Sequence, residues 1–234
     1  MTLPTAMLFD LDGTILDDGD RRTVLLEVAT EQRALLGSHD PARVANRLED
    51  AFAAFWSDPT RHRIARFGLA EARLGVVTEV FVDLDLQPDA ARAFSETFNE
   101  RRAQATTLFL GARDTLVSIR AQGVRLALVT NGPSDTQRAK IERFTLADLF
   151  DHIQIEGECG FGKPEDQAYH HALAILGVRA QETWMIGDHL EWEVAAPQRH
   201  GIYAVWHDPY ARGLPAGTAV RPDRIITRFA DLLG

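Results

Sequence analysis

The sequence predicts an α/β protein: a Rossmann-like, doubly wound parallel sheet with an inserted all-helical cap domain. The first observation is a set of short apolar runs that end in turn or capping residues, as buried strands do. These runs cover residues 6–10, 124–130, 152–156, 183–187 and 201–206. The second observation is a set of amphipathic helical patterns, which cover residues 111–122, 134–147, 164–176 and 191–199. Strands and helices that alternate at this spacing favour a parallel sheet covered on both faces.

The third observation is a long stretch with helical periodicity alone. Between residues 17 and 105, apolar residues recur at helical spacing in four segments separated by Gly and Pro. These segments are 21–37, 41–56, 61–75 and 89–105. We therefore expect a catalytic core at 1–16 and 106–234 and a helical domain at 17–105. Because ligands of open α/β sheets bind beyond the carboxyl ends of the strands, the insertion is expected to lie over the ligand site.

Local signals complete this expectation. Pro164, followed by Glu165 and Asp166, predicts the start of one core helix, because proline and acids suit a first helical turn. The acids that follow the first strand run, Asp17, Asp18 and Asp20, are expected to be solvated loop charges.

Composition argues against several classes of protein. The 234 residues carry a formal net charge of −9, with 34 acids against 25 Lys and Arg, whereas nucleic-acid-binding proteins usually present a basic face. No apolar run is long enough to span a bilayer, and the N-terminus lacks a signal-peptide pattern. The single cysteine, Cys159, cannot form an internal disulfide. We expect a cytoplasmic protein with no nucleic-acid or membrane partner, and the oligomeric state is left open.

Polar groups suited to phosphate chemistry follow four predicted strands. They are Asp10 and Asp12 in "DLDGT", Thr130, Asn131 and Gly132 in "VTNG", Lys163 in "GFGKPED", and Asp188 in "IGDHLEWE". In a parallel sheet these strand ends share one edge, so the groups can converge.

A convergent cluster of this kind fits a metal ion and a bound phosphate. Asp10 and Asp188 offer the hard anionic oxygens that Mg²⁺ prefers, and the cation would attract phosphate to an acidic protein. Lys163 can hold a phosphate oxygen as a point charge. The neutral donors available are Thr130, Asn131 and the Gly132 backbone. A carboxylate beside a metal can attack phosphorus, and a second can protonate the leaving oxygen and then activate water.

The order of these motifs resembles the haloacid dehalogenase-like (HAD) hydrolase superfamily over nearly the whole chain. "DLDGT", the Thr of "LVTNG", the Lys of "GKPEDQAY" and the acidic "GDHLEWE" appear in the order of that family, and the inserted helices match the helical (C1-type) cap of one large subgroup. The resemblance implies that Asp10 is the nucleophile and Asp12 the general acid/base. It further implies that Thr130 and Lys163 bind the transferring phosphoryl group. Asp188 would ligate Mg²⁺, to which Asp12 would give its backbone carbonyl.

The acid at position 12 selects among the reactions of this superfamily. Family members that cleave carbon–halogen bonds or phosphonates lack an acid two residues after the nucleophile, so the presence of Asp12 favours phosphate ester hydrolysis. Sugar phosphomutases keep this acid and are the nearest enzymatic rival. A dehalogenase-like or non-catalytic member of the superfamily stays open, as does a response-regulator-like phosphoacceptor.

The fourth motif departs from the pattern of similar phosphatases. They commonly carry Ser or Thr after the first Asp and a second Asp five residues after it, whereas this chain has His189 and Glu193 at these positions. Glu193 is predicted to be the second acid at the metal, and Glu191 competes for that role. His189 is interpreted as a neighbour of the leaving group rather than a ligand.

We therefore expect a Mg²⁺-dependent phosphomonoester hydrolase that forms an aspartyl-phosphate intermediate. The stretch "AVWHDPYARGLP" resembles the "W-[IV]-N-x-x-G" region of N-acylneuraminate and nucleotide phosphatases. The expected substrate is therefore a small phosphorylated metabolite, either a sugar phosphate or a nucleotide-like molecule. Closure of the helical domain is expected to exclude bulk water and to select the rest of the substrate.

Overall fold

The computed structural model describes residues 2–234, with Pro59, His62 and Arg63 described by their backbone alone. The chain forms two compact units: one ends at Asp17 and resumes over Leu108–Gly234, and the other is Asp18–Thr107. The sequence placed these junctions after residues 16 and 105. Within residues 2–234, none of the helices has the length and apolar character needed to cross a membrane.

The secondary structure alternates in the first unit and is helical in the second. The strands are β1 (Ala6–Phe9), β2 (Leu16–Asp17), β3 (Thr107–Leu108), β4 (Arg125–Thr130), β5 (His152–Ile155), β6 (Thr183–Gly187), β7 (Tyr203–His207) and β8 (Arg224–Ile226). The helices are α1 (Arg21–Glu31), α2 (Pro41–Ser57), α3 (Pro59–Ala65), α4 (Leu69–Asp83), α5 (Pro88–Ala105), α6 (Ala112–Ala121), α7 (Ser134–Arg143), α8 (Glu156–Cys159), α9 (Asp166–Leu176) and α10 (Ala196–Arg199). A π-helical segment, Leu190–Ala195, precedes α10.

Six strands form one parallel sheet in the order β5-β4-β1-β6-β7-β8. β1 is central because it pairs with β4 on one side and with β6 on the other. Its four side chains are all buried, as expected for a strand covered on both faces. The predicted fold class, a doubly wound α/β core, is confirmed.

The alternation of β1 divides the core between the two faces of the sheet. Met7 and Phe9 belong to an apolar cluster that includes residues of α6, whereas Ala6 and Leu8 pack in a cluster that includes residues of α9. Successive side chains of a strand point to opposite faces, so β1 is anchored from both sides. The first residue after it, Asp10, is therefore held in a fixed position.

The helical unit has its own hydrophobic core, which includes residues of α1, α2, α4 and α5. Asp20 and Asp40 begin α1 and α2 by accepting bonds from the Thr23 and Arg43 amides, as N-cap residues do. Asp20 is exposed, as expected for a solvated charge ahead of the first helix, and it has the additional role of N-cap. The oxygens of Asp17 and Asp18 likewise have partners, in the hydroxyl groups of Tyr210 and Thr106 respectively.

Three local expectations need correction. The helical pattern at 61–75 corresponds to two helices, α3 and α4, and α4 continues through Gly75 to Asp83. α9 begins at Asp166 with Glu165 as its N-cap, so Pro164 precedes the helix. β8 was not expected, because three residues within a polar segment carry almost no periodic signal.

Candidate active site

Three neighbouring strands of the first unit deliver acidic and hydroxyl groups to one edge of the sheet. Asp10 follows β1, Thr130 ends β4 and Asp188 follows β6, and β1 lies between the other two strands. Lys163 comes from the loop between α8 and α9, and its Nζ lies 2.6 Å from Asp10 Oδ1. The convergence predicted from the strand ends is therefore present in the fold.

Lys163 lies between two buried carboxylates. Its Nζ is 2.6 Å from Asp10 Oδ1 and 2.7 Å from Glu193 Oε1, and its side chain is completely buried. Burial raises the pKa of Asp10 to about 6, although the Lys163 charge opposes the shift. Burial also raises the pKa of Glu193. Burial alone would lower the pKa of Lys163, but the two carboxylates raise it above its ordinary value, so the lysine stays charged.

Asp188 faces Asp10 across the Thr14 hydroxyl. Thr14 Oγ1 lies 3.2 Å from Asp10 Oδ2 and 3.4 Å from Asp188 Oδ1. A Cβ on Gly13, whose φ is +79°, would lie 2.5 Å from Asp188 Oδ2, so only glycine fits both the bend and the carboxylate. Asp188 is exposed as a residue, although Gly13 packs closely against its carboxyl group. Partial desolvation, followed by the charges of Asp10 and Glu193, raises the pKa of Asp188 above its ordinary value.

Asp12 has a different set of partners, which come from α7. Lys140 Nζ lies 2.7 Å from Asp12 Oδ1 and 2.9 Å from Oδ2. Gln137 Nε2 donates to Asp12 Oδ2 at 2.9 Å and to Thr130 Oγ1 at 2.6 Å. The two acids of "DLDGT" are therefore held separately, Asp10 by Lys163 and Asp12 by Lys140.

The loop after β4 is held by bonds to its neighbours. The Asn131 side chain donates to the Lys163 carbonyl at 2.7 Å and accepts from the Lys163 amide at 2.9 Å. The Gly132 amide donates to Glu156 Oε2 at 3.1 Å. These donors, predicted to bind phosphate, are engaged by protein groups here, so their phosphate role stays a prediction. The Thr130 hydroxyl accepts from Gln137 at 2.6 Å and donates to the Asn131 carbonyl at the longer distance of 3.4 Å.

The fourth motif separates its two glutamates. Glu193 Oε2 accepts from the His189 amide at 2.8 Å, while Oε1 contacts Lys163. A Cβ on Gly187 would lie 1.9 Å from Glu193 Cγ, so the longer acid occupies the space that glycine leaves. Glu191 is exposed and forms an ion pair with Arg199 at 3.0 Å. Glu193 lies in the cluster and Glu191 outside it, and whether either acid binds metal stays a prediction.

His189 and Trp206 form hydrogen bonds to the backbone of the fourth motif. His189 Nδ1 accepts from the Trp192 amide, and the two rings stack with centroids 4.2 Å apart. Partial desolvation, together with the Lys163 charge, lowers the pKa of His189. Trp206 Nε1 donates to the Asp188 carbonyl at 2.7 Å, so the "AVWHDPYARGLP" stretch contacts the fourth motif directly.

Sequence reasoning missed four residues of this cluster. They are Thr14, Gln137, Lys140 and Glu156. Gln137 and Lys140 lie three residues apart on the helix that follows "TNGP" and therefore share one face. This shared face is the signal that the sequence carries, whereas the burial of Gln137 is visible only in the fold.

Comparison with known proteins assigns this arrangement of motifs to a family. The profile of the haloacid dehalogenase-like hydrolases matches residues 4–201. The chain belongs to this family. The phosphoserine phosphatase of Thermus thermophilus is 35% identical over 78% of this chain and 67% of its own length. The ribulose-1,5-bisphosphate 5-phosphatase of Halopiger xanaduensis is 33% identical over 88% of this chain and 86% of its own.

A solved structure supports the HAD fold. The HAD-hydrolase YfnB from Bacillus subtilis, bound to magnesium, matches with a TM-score of 0.78 at 21% identity, over 99% of this chain and 97% of its own. At this identity the likeness concerns the fold. The expected membership of the HAD superfamily is confirmed, and the protein is a hydrolase. The phosphatase names of the relatives agree with the phosphatase branch expected from Asp12.

The donor set of the cluster suits a divalent cation. Among the described side chains, no basic group forms an ion pair with Asp188, although Asp10 and Glu193 are close enough to raise its pKa. No group of three or more His, Cys, Asp or Glu residues within the described chain has the geometry of an all-protein metal site. Two carboxylates completed by a carbonyl, water and phosphate oxygens are the arrangement that Mg²⁺ prefers. The Asp10 and Asp188 carboxylates, which meet at the Thr14 hydroxyl, therefore fit the donor chemistry of magnesium.

Proposed function

We propose that this HAD hydrolase is a Mg²⁺-dependent phosphomonoesterase that acts through an aspartyl-phosphate. The proposal depends on one observation: the two carboxylates that follow β1 are held by different lysines. Asp10 is buried against Lys163, and Asp12 is half-exposed against Lys140. A nucleophile and an acid/base must occupy different positions around one phosphorus atom, and two separate lysine partners provide this.

The first half-reaction transfers the phosphoryl group to Asp10. An oxygen of the Asp10 carboxylate attacks phosphorus in line with the ester oxygen, and the bond between phosphorus and that oxygen breaks. The Asp12 carboxyl group gives its proton to the departing oxygen, which leaves as the alcohol. In this proposal Lys163 and Thr130 donate to the phosphoryl oxygens, whose charge must be stabilised in the transition state.

The second half-reaction returns the enzyme to its starting state. Water attacks the phosphorus atom of the phosphoaspartate and gives a proton to the Asp12 carboxylate. The bond between phosphorus and the Asp10 oxygen breaks, so that inorganic phosphate leaves and the Asp10 carboxylate is restored. Asp12 carries a proton again, so the cycle balances. In each half-reaction Asp12 has to reach the oxygen opposite Asp10, which is the leaving ester oxygen in the first and the attacking water oxygen in the second.

Magnesium would be held by Asp10, Asp188 and the Asp12 carbonyl. When bound, it neutralises phosphate charge and orients the phosphoryl group as a Lewis acid. Glu193 acts beside it by holding Lys163 and the start of the π-helical segment.

The substrate is proposed to be a small phosphorylated metabolite. The relatives are named for phosphoserine and ribulose bisphosphate, which are both small phosphate esters. Trp206, in the stretch that resembles N-acylneuraminate and nucleotide phosphatases, is bonded to the Asp188 carbonyl. We infer that a sugar phosphate or nucleotide-like ester is the substrate class to test first.

The test is hydrolysis of 4-nitrophenyl phosphate by the full chain with Mg²⁺, with EDTA, and in two aspartate variants. We expect turnover with Mg²⁺, loss with EDTA, and loss in Asp10→Asn. Asp17→Asn is the matched control, since Asp17 bonds Tyr210 instead of the cluster, and it should keep its activity. Turnover by Asp10→Asn would contradict the nucleophile assignment. A panel of phosphorylated metabolites then separates release of inorganic phosphate from formation of an isomeric sugar phosphate, which would indicate a mutase.

A further inference from the structure

α7 places two polar side chains on the Asp12 carboxylate. Lys140 contacts both carboxylate oxygens, Gln137 Nε2 donates to one of them, and Lys140 Nζ lies 3.0 Å from Gln137 Oε1. The second hydrogen of the Gln137 amide reaches Thr130 Oγ1. Every polar group of Gln137 is therefore engaged, and Asp12 is held at a fixed place relative to the Thr130 hydroxyl.

Stability does not account for this network. The Asp12 and Lys140 side chains are 31% and 26% exposed, and ion pairs of partly exposed groups contribute little to folding. The same helix offers a comparison, because Arg138 forms an ion pair with Glu158 at 2.7 Å. That pair involves no residue of the candidate active site, whereas the Lys140 pair fixes the proposed acid/base.

The hydrogen bonds also engage both oxygens of Asp12. Lys140 and Gln137 can only donate through these contacts, and they make three of them to the two carboxylate oxygens. Contacts to both oxygens fix the plane of the carboxyl group as well as its position. Asp12 is the group that takes a proton from water in the second half-reaction, and that step depends on this orientation.

We propose that Lys140 and Gln137 are positioning residues that hold the Asp12 carboxylate for hydrolysis of the phosphoenzyme. This inference rests on the proposed function and deepens it, because it assigns the pair to one of the two half-reactions. Without Lys140, the carboxylate loses its fixed orientation towards the attacking water. Misplacement of a reacting group by about 1 Å can cost about 100-fold in rate, so the water step slows while attack by Asp10 does not.

A substrate with a good leaving group allows the rates of the two half-reactions to be measured separately. 4-Nitrophenolate departs as its anion, so the first half-reaction with its phosphate ester needs no proton from Asp12. In rapid-mixing experiments with Mg²⁺, we expect Lys140→Met to release one equivalent of 4-nitrophenolate per enzyme at close to the wild-type rate. Steady-state release should then be slower than wild type by about 10-fold to 100-fold. Acid-quenched Lys140→Met should carry phosphate on Asp10, detected by mass spectrometry of its peptides.

Four other variants serve as comparisons. Asp12→Asn should show the same burst followed by slow turnover, since general base catalysis contributes about 100-fold or more. Arg138→Met removes a positive charge from the same helix and should match wild type in both phases. Lys140→Arg keeps the charge and paired donors and should recover part of the steady-state rate. Gln137→Leu should show the same pattern as Lys140→Met, and thermal unfolding of each variant reports whether it is folded.

Two results overturn the inference while leaving the phosphatase proposal intact. One is a Lys140→Met variant that matches Arg138→Met in both phases. The other is a burst that slows as much as the steady state, which would indicate general damage to the site. If wild-type protein releases no 4-nitrophenolate, the proposed function fails, and this inference fails with it.

Discussion

Asp10–Lys163 and Asp12–Lys140 are two carboxylate–lysine pairs that begin two residues apart in the chain and differ in their surroundings. The N–O distances are nearly equal, 2.6 and 2.7 Å. Lys163 is fully buried and Asp10 nearly so, whereas the second pair is about 30% exposed. Lys163 also has a second carboxylate partner, Glu193, while Lys140 has a neutral one, Gln137.

Two pairs with nearly equal N–O distances can therefore contribute different free energies to folding. In the buried pair, removal of Lys163 leaves two carboxylates without their cation in a buried site, which is costly. In the half-exposed pair, water can replace the lost partner, so the contribution to folding is small. The first pair therefore supports both folding and chemistry, whereas the second can be altered with an effect mainly on chemistry.

The largest expected effect is a loss of unfolding free energy in Lys163→Met that Lys140→Met does not share. Lys163→Met should lower the free energy of unfolding by about 3–5 kcal/mol, because it leaves two buried carboxylates without their cation. Lys140→Met should lower it by about 0–1 kcal/mol. Urea denaturation at neutral pH in EDTA measures both values. Equal losses would mean that exposure does not distinguish the two pairs.

A pH series should show the burial of Asp10 directly. Since its pKa is raised from 3.8 to about 6, the native state binds more protons than the unfolded state between these values. The Asp10 contribution to stability is therefore present at low pH and is lost as the pH rises through about 6. Relative to wild type, Asp10→Asn should gain about 1–3 kcal/mol in unfolding free energy between pH 4 and pH 7.

The measurement is urea denaturation of both proteins in EDTA at several pH values. The difference between the two proteins is the informative quantity, because other acids, such as Glu158 and Asp231, have lowered pKa values and act in the opposite direction. Saturating Mg²⁺ should reduce the trend, since a nearby cation favours the ionised carboxylate. A difference that stays constant from pH 4 to pH 7 would show that Asp10 titrates normally.

The smallest expected effect distinguishes the two glutamates of the fourth motif. Glu193→Gln should raise the Mg²⁺ concentration at half-maximal activity by about tenfold, as is typical for a group that supports metal ligands. Glu191→Gln should leave it unchanged, because Glu191 is exposed and pairs with Arg199. The assay is phosphatase activity over a Mg²⁺ titration. A shift in Glu191→Gln without one in Glu193→Gln would transfer the role to Glu191.

The parts of the site that follow strand ends were predictable from the sequence. Asp10, Thr130 and Asp188 adjoin short apolar runs, and parallel strands bring such positions to one edge by topology alone. Their convergence therefore needs only the identification of the strands. The motifs then add chemistry to positions that the fold already brings together.

The partners of Asp12 could not be predicted in this way. Gln137 and Lys140 lie more than 120 residues away in sequence, and their contacts depend on the rotation of α7 about its axis. Helical periodicity is weak in this polar helix, in which only Gln137 and Ile141 are buried. The contact of Glu193 with Lys163 likewise depends on a π-helical segment, which has no reliable sequence signal.

The Asn131 side chain has a consequence for how this site can change during evolution. Both of its hydrogen bonds go to the backbone of residue 163, so they do not depend on which side chain that residue carries. A substitution at 163 can alter the charge of the site while the path of the loop is kept. Separate residues thus determine the path of the loop and the charge of the site, so a new side chain at 163 has to satisfy only the two buried carboxylates, Asp10 and Glu193.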